Sequence, residues 1–352
     1  MFASRETPDD VIEVLDIVPL QGSGGIIGPS VDAAISLAVD EINGGTGILG
    51  REVRVTTIDG GRAPHEVARE VSALLATGMV HAITGWHISA VRRAVARAAD
   101  GRVPYLFATI HEGLPDEMPG VLMIGEDPQG HILAAMAWLR REYDVRRWAL
   151  VGNDYIWPRA TAAAVRTALA DPASLVLERF VPLGTTDFAP FLADPRLDRA
   201  DGVIMLLVGS DAARFNRQFA HTGRAARQVR VSPAVDETVL LAAGAEANEN
   251  LFVSSSFFPD SERVHRYRRL HGPFAPQLTY FGNTGYEAMH TLRAVAETVG
   301  SFDVPRIHAA LTAGAVLETP SGECRFRGNQ AVQSAQIARA DGVDFRILGR
   351  IS

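Results

Sequence analysis

The chain has 352 residues, with 41 acidic side chains against 34 basic ones, every one of the latter arginine, for a net charge of −7. The absence of lysine removes a Walker A phosphate loop and Schiff-base chemistry on lysine. The single cysteine, Cys324, removes an intrachain disulfide and a cysteine-pair zinc site, and the acidic balance argues against nucleic acid as the main partner.

The length suggests about two domains at roughly 150 residues each. No apolar run approaches the ~20 residues of a membrane span. The opening stretch, Met1 to Asp10, is polar and acidic and has no signal-peptide core. Residues 1–10 are therefore expected to be disordered. As written the chain is expected in the cytoplasm, and an export signal on an upstream start would instead place it in the periplasm or outside the cell.

The first half reads as repeated strand–helix units. Val11–Leu20 is an apolar, β-branched run, and Gly22–Gly28 a glycine-rich turn closed by Pro29, which is tolerated at a helix start. Val31, Ala34, Ile35, Ala38 and Ile42 then share one helical face, stopped by Asn43-Gly44-Gly45. Glu52–Ile58 is a second strand ended by Asp59-Gly60-Gly61. Pro64 opens a helix burying Val67, Val71, Leu74 and Leu75. Val80–Thr84 and Val103–Phe107 are further strands, with a helix after Ser89 between them.

After Gly125–Gly130 the pattern restarts. Helices are predicted over Ile132–Tyr143 and Pro158–Ala170. Trp148–Val151, Val176–Pro182, Gly202–Val208 and Val229–Ser232 are strand candidates. Ser261–Ala313 is mostly helical. Cys324–Phe326, Ser334–Ala340 and Phe345–Ile351 read as short strands, the last two joined at Asp341-Gly342. Strands alternating with helices mean parallel βαβ units. The expectation is an α/β protein with two doubly wound parallel-sheet lobes.

Gly22-Ser23-Gly24-Gly25-Ile26-Ile27-Gly28 invites a dinucleotide reading, but the third glycine is displaced from G-x-G-x-x-G. The other reading is a flexible first βα turn. No arrangement supplies a nucleophile, base and orienter together, so no enzyme activity and no cofactor are expected. His81 and His87 read as a structural or surface pair. Three segments that follow strands read as binding loops. In Gly85–Ser89 the Ser89 hydroxyl is either a ligand donor or a plain N-cap. In Phe107-Ala108-Thr109 the donor is Thr109. In Asn153–Arg159, Tyr155 and Trp157 either wall a ligand or cap the core, and Arg159 is either a cleft cation or interlobe latch or a salt bridge at a helix start.

Several stretches together resemble the type I periplasmic binding proteins of the leucine/branched-chain amino-acid-binding family. They are Ile17-Val18-Pro19-Leu20, Ala38 to Gly45, Gly47 to Arg51, Asp59-Gly60-Gly61, Thr109 to Gly113, Asn153 to Arg159 and Thr319 to Gly322. Asp154-Tyr155-Ile156-Trp157-Pro158-Arg159 is most similar to the branch that contains the amide-sensing regulator of the aliphatic amidase operon and the urea and short-chain amide receptors. The resemblance implies an N-terminal lobe of residues 11–125 plus 257–322 and a C-terminal lobe of 126–256 plus 323–352. Three crossings would join them near Gly125–Gly130, Ser254–Phe258 and Ser321–Cys324. A ligand would bind between the lobes by hinge closure.

The same resemblance implies ligand contacts at Ser89, Thr109 and Tyr155. His87, Phe107 and Trp157 stand where the amide sensor has tyrosines, and Ala108 and Gly209 are further implied contacts. Amino-acid receptors carry an acidic residue after the proline of a later loop. Here Pro233 is followed by Ala234, and Asp236 comes two residues later. The implied ligand is a small amide, urea-like compound or carboxylate, with a branched-chain amino-acid receptor as the alternative. The implied protein partner is an ABC-transporter permease or, for a cytoplasmic sensor, a regulator such as an antiterminator. A homodimer is also allowed.

Overall fold

The computed structural model describes residues 10–113 and 118–351. Of residues 1–10, expected to be disordered, all but Asp10 lie outside the described residues. The first run of elements is β1 (Val11–Val18), α1 (Gly28–Gly44), β2 (Glu52–Asp59), α2 (Pro64–Leu75), β3 (Val80–Gly85), α3 (Ser89–Ala99), β4 (Tyr105–Phe107) and β5 (Val121–Met123). The second is α4 (Ala134–Tyr143), β6 (Trp148–Asn153), α5 (Ile156–Ala168), β7 (Leu175–Val181), α6 (Ala189–Leu192), β8 (Gly202–Leu206), α7 (Ser210–His221), β9 (Val229–Ser232), α8 (Glu237–Ala243) and β10 (Leu251–Ser255). The chain then returns through α9 (Ser261–His271), α10 (Tyr280–Val299), α11 (Val304–Thr312), β11 (Val316–Thr319), β12 (Gly322–Arg327) and β13 (Gln330–Ala331). It ends in β14 (Gln336–Asp341) and β15 (Asp344–Arg350).

Two sheets result, ordered β11-β12-β13-β5-β4-β3-β1-β2 and β15-β14-β10-β9-β8-β6-β7. Their centres are parallel, as the alternation of strands and helices predicts. Their late-chain strands are antiparallel: β12 pairs with β11 and β13, and β14 with β10 and β15. The sheets are therefore mixed, because short hairpins need no crossover helix. Along β1, Ile12, Val14 and Val18 enter one core while Leu15 and Ile17 enter another. That is the period-two burial of a strand covered on both faces. On the first face α1 lies against α10. A Cβ at Gly285 would stand 3.1–3.3 Å from Val31 and Ile35, so glycine sets how closely these helices approach.

Three connections join the lobes, after β5, after β10 and after β13. The third corrects the expectation of Ser321–Cys324. β12 is still paired to β11 there, and Gln330 of β13 pairs with Met123 of β5, so the chain leaves the first sheet only at residues 332–335. Side chains tie the connections together. The Ser256 N–H donates to the Glu126 carboxylate, and Gln333 Nε2 donates to the Ile124 carbonyl at 3.0 Å. Beside the first connection, His131 is fully buried and its Nδ1 accepts the Ile132 N–H.

Burial holds His131 and His87 neutral, pushing each pKa down to about 3, and His111 down to about 4. These folded values lie below the unfolded value of about 6.5. Each histidine therefore contributes stability that is present above about pH 6.5 and is lost as pH falls toward 3–4, on the order of 1.4 kcal/mol per pH unit. His131→Leu is accordingly expected to lose less stability than wild type between about pH 7 and 5. Urea-unfolding midpoints at the two pH values check this, and equal losses would contradict it.

Candidate functional site

The C-terminal ends of both sheets face each other, which is where open α/β sheets place ligands. Between them is an inner cavity of about 20 Å³. The N-terminal lobe lines it with Trp86, His87, Ile88 and Ser89 after β3, Thr109 and Ile110 after β4, and Phe281 of α10. The C-terminal lobe adds Tyr155 and Trp157 at the start of α5, Val208 after β8 and Ala234 after β9. All three binding loops expected from sequence thus converge on one point.

Among the described residues no Asp, Glu or Arg lines this cavity. His87 is uncharged, and its Nε2 lies 2.7 Å from the Tyr105 hydroxyl. The indole N–H groups of Trp86 and Trp157 are buried with no hydrogen-bond partner. An unmet buried donor is costly, so both gain from a ligand acceptor. The N-cap of α3 is Ile88, and no side-chain cap bond is made there, so Ser89 is not that cap. Its hydroxyl lies near Glu112 and helps to hold that carboxyl low.

Glu112 is paired to Arg92 at 3.0 Å, with both side chains about 97% buried or more. Burial, the largest single influence, would raise the Glu112 pKa, but Arg92, Ser89 and the Glu112 backbone N–H together outweigh it and hold the carboxyl low. Arg92 also lies over the Phe107 ring, 4.9 Å from its centroid. Phe107 and Ala108 are fully buried and do not line the cavity, so they support it from behind.

Asp236 also stands outside the lining. It is wholly buried as the N-cap of α8, where Oδ1 accepts the Val239 N–H at 3.0 Å. Gly209 is part of the contact between the lobes. The Ser210 N–H donates to the Ser23 carbonyl at 2.9 Å, and Ser23 Oγ donates to Asp211 Oδ1 at 3.0 Å. Gly209 has φ +53°, and a Cβ there would overlap the Ser23 carbonyl oxygen. The glycine-rich turn is therefore an interlobe contact. Arg159 does not bridge the lobes: it pairs with Asp154 at 2.6 Å and lies over Phe180, both in its own lobe. His81 accepts the Glu13 N–H at 3.1 Å, a structural role away from the cavity.

Past Trp86, Ile88 and Val208 the cavity leads to an outer chamber of about 390 Å³ bordered by Gln21–Gly24, Arg62 and Arg214. Sequence reasoning missed Trp86, Phe281 and the Ser23–Asp211 bond as site features. Trp86 sits within a loop already singled out, so its aromatic ring after a strand was the available signal. Among the described residues no group of His, Cys, Asp and Glu could hold a metal, and no helix is long and apolar enough to cross a membrane.

None of the curated proteins matches the chain. Solved structures do. A leucine-binding protein from Thermotoga maritima matches with TM-score 0.84 and 20% identity, over 97% of this chain and 99% of that one. The branched-chain amino-acid transporter substrate-binding protein of Streptococcus pneumoniae, in complex with isoleucine, matches with TM-score 0.83 and 18% identity over 96% and 99%. A solute-binding protein of an ABC transporter from Rhodopseudomonas palustris, in complex with 3,4-dihydroxybenzoic acid, matches with TM-score 0.82 and 22% identity over 97% of each chain. The sequence pattern of the periplasmic binding proteins matches residues 12–344, and with two mixed α/β lobes closed over a shared cavity, the chain belongs to that family.

Proposed function

We propose that this protein is a non-enzymatic solute receptor of the ABC-transport type, closing its lobes on a small neutral solute with an amide or urea-like group. One observation carries the reading: among the described residues no Asp, Glu or Arg side chain lines the inner cavity. An amino acid would bury its ammonium there without a carboxylate partner, which is strongly unfavourable. Asp236 and Glu112 lie outside the lining, and each has one carboxylate oxygen engaged, Asp236 Oδ1 at the α8 cap and Glu112 Oε2 with Arg92. The indole donors and the Ser89 and Thr109 hydroxyls suit a carbonyl oxygen, and the Thr109, Ser89 and Tyr155 hydroxyls can accept ligand N–H groups.

Size supports the same class. A cavity of about 20 Å³ holds roughly one water. An amide of a few heavy atoms requires far less opening than leucine or an aromatic acid. The similar structures carry an amino acid in one case and an aromatic acid in another, so the fold alone sets no ligand class and the lining must. The test is a thermal-shift series with acetamide, propionamide, urea, acetate and leucine. Amides or urea are expected to stabilise the protein by about 2.7 kcal/mol at 100 times Kd. Stabilisation by leucine alone would overturn the reading.

A further inference from the structure

We propose that the protein has a second small-molecule site, for an organic ammonium ion, in the cavity walled by α9 and the 272–278 loop of one lobe and by α8 and β15 of the other. This cavity is about 630 Å³, within the ~300–1,000 Å³ of small-ligand sites. It shares no lining residue with the inner cavity or the outer chamber.

Aromatic rings form part of its wall: Phe258 and Phe345, with centroids 5.6 Å apart, and Tyr267. Two carboxylates, Glu237 and Asp344, line it as well. Glu237 is only 5% exposed. Its Oε2 accepts the Tyr280 N–H at 3.1 Å, and no basic side chain among the described residues forms an ion pair with it. Asp344 accepts from Gln277 Nε2 at 3.1 Å and likewise has no ion pair. The basic groups on the cavity, His265 and Arg268, are on the exposed side of α9.

Buried without a counter-charge, Glu237 is held in its neutral acid form near pH 7, and a cation brought by a ligand would let it ionise in place. Aromatic faces attract the same cation. Burial pushes the Glu237 pKa up to about 8, with the Asp236 charge adding to it, so a bound ammonium would favour the ionised form. A ring-bearing primary amine matches this combination of apolar wall and deep carboxylate.

The test titrates the full chain with benzylamine and, as its neutral isostere, benzyl alcohol, by calorimetry. Benzylamine is expected to bind saturably and at least about tenfold more tightly than the alcohol, and Asp344→Asn and Phe345→Ala should each weaken it by about tenfold. Thr109→Val, in the solute cavity, should leave it unchanged. Absence of saturation, equal binding of the alcohol, or loss in Thr109→Val with retention in Asp344→Asn would each overturn the proposal. Asp344 is exposed, so its variant keeps the test independent of any folding defect in Glu237→Gln.

Discussion

Gly209→Ala is expected to leave both lobes folded and to weaken solute binding by about a hundredfold, or ~2.7 kcal/mol. Two effects combine at this residue. Its φ of +53° lies where side chains are strained, and an added Cβ would overlap the Ser23 carbonyl oxygen across the interlobe contact. That strain costs of order 1–3 kcal/mol wherever the conformation is kept. The overlap arises only when the lobes meet, so it penalises the closed form specifically. Solution scattering should show a larger radius of gyration for the variant with solute than for wild type with solute. A variant that closes and binds as wild type does would show that the Ser23 contact does not govern closure.

The contact illustrates what a sequence withholds. Ser23 and Asp211 are 188 residues apart, and nothing local to either marks the other as its partner. The glycine turn was visible as a motif, but its role depends on what packs opposite it. The lobes were legible because βαβ alternation is local: Val11–Val18 and Val31 to Ile42 carry their own periodicity. β5 was not, being three residues, Val121–Met123, set in a Gly/Pro-rich stretch. The third connection was misplaced for a related reason. β13 is two residues long and pairs through Gln330 with a strand more than two hundred residues earlier, leaving no periodic signal. Of the candidate contacts, Ser89, Thr109, Tyr155, Trp157, His87 and Ala234 lie together because strand ends are recognisable. Asp236 was drawn in by its distance from Pro233, whereas its position after β9 makes it a helix cap.

Arg92→Met is expected to lower stability by about 3–5 kcal/mol, because it strands the Glu112 carboxylate in the core. The pair is 3.0 Å apart and nearly inaccessible, with side-chain exposures of 2% and 3%. Removing both charges is a different matter, since a buried ion pair is often no better than well-packed apolar side chains of similar volume. Arg92→Met/Glu112→Leu is therefore expected to recover most of the loss. Solute affinity should not recover with it, because the double variant removes the polar carboxylate beside the cavity-lining Ser89 hydroxyl. Urea unfolding and calorimetry separate the two outcomes. A single variant as stable as wild type, or a double variant no better than the single, would contradict this account of the pair.

The central claim is that a cavity closed between two lobes, lined among the described residues by no Asp, Glu or Arg, selects a small neutral solute. Calorimetric titration of acetamide, urea and leucine into the wild-type protein tests it most directly. Saturable binding of acetamide or urea, with leucine giving no heat of binding, is the predicted result. Tight leucine binding that Asp236→Ala abolishes would contradict it, because Asp236 would then be the ammonium partner rather than only the cap of α8.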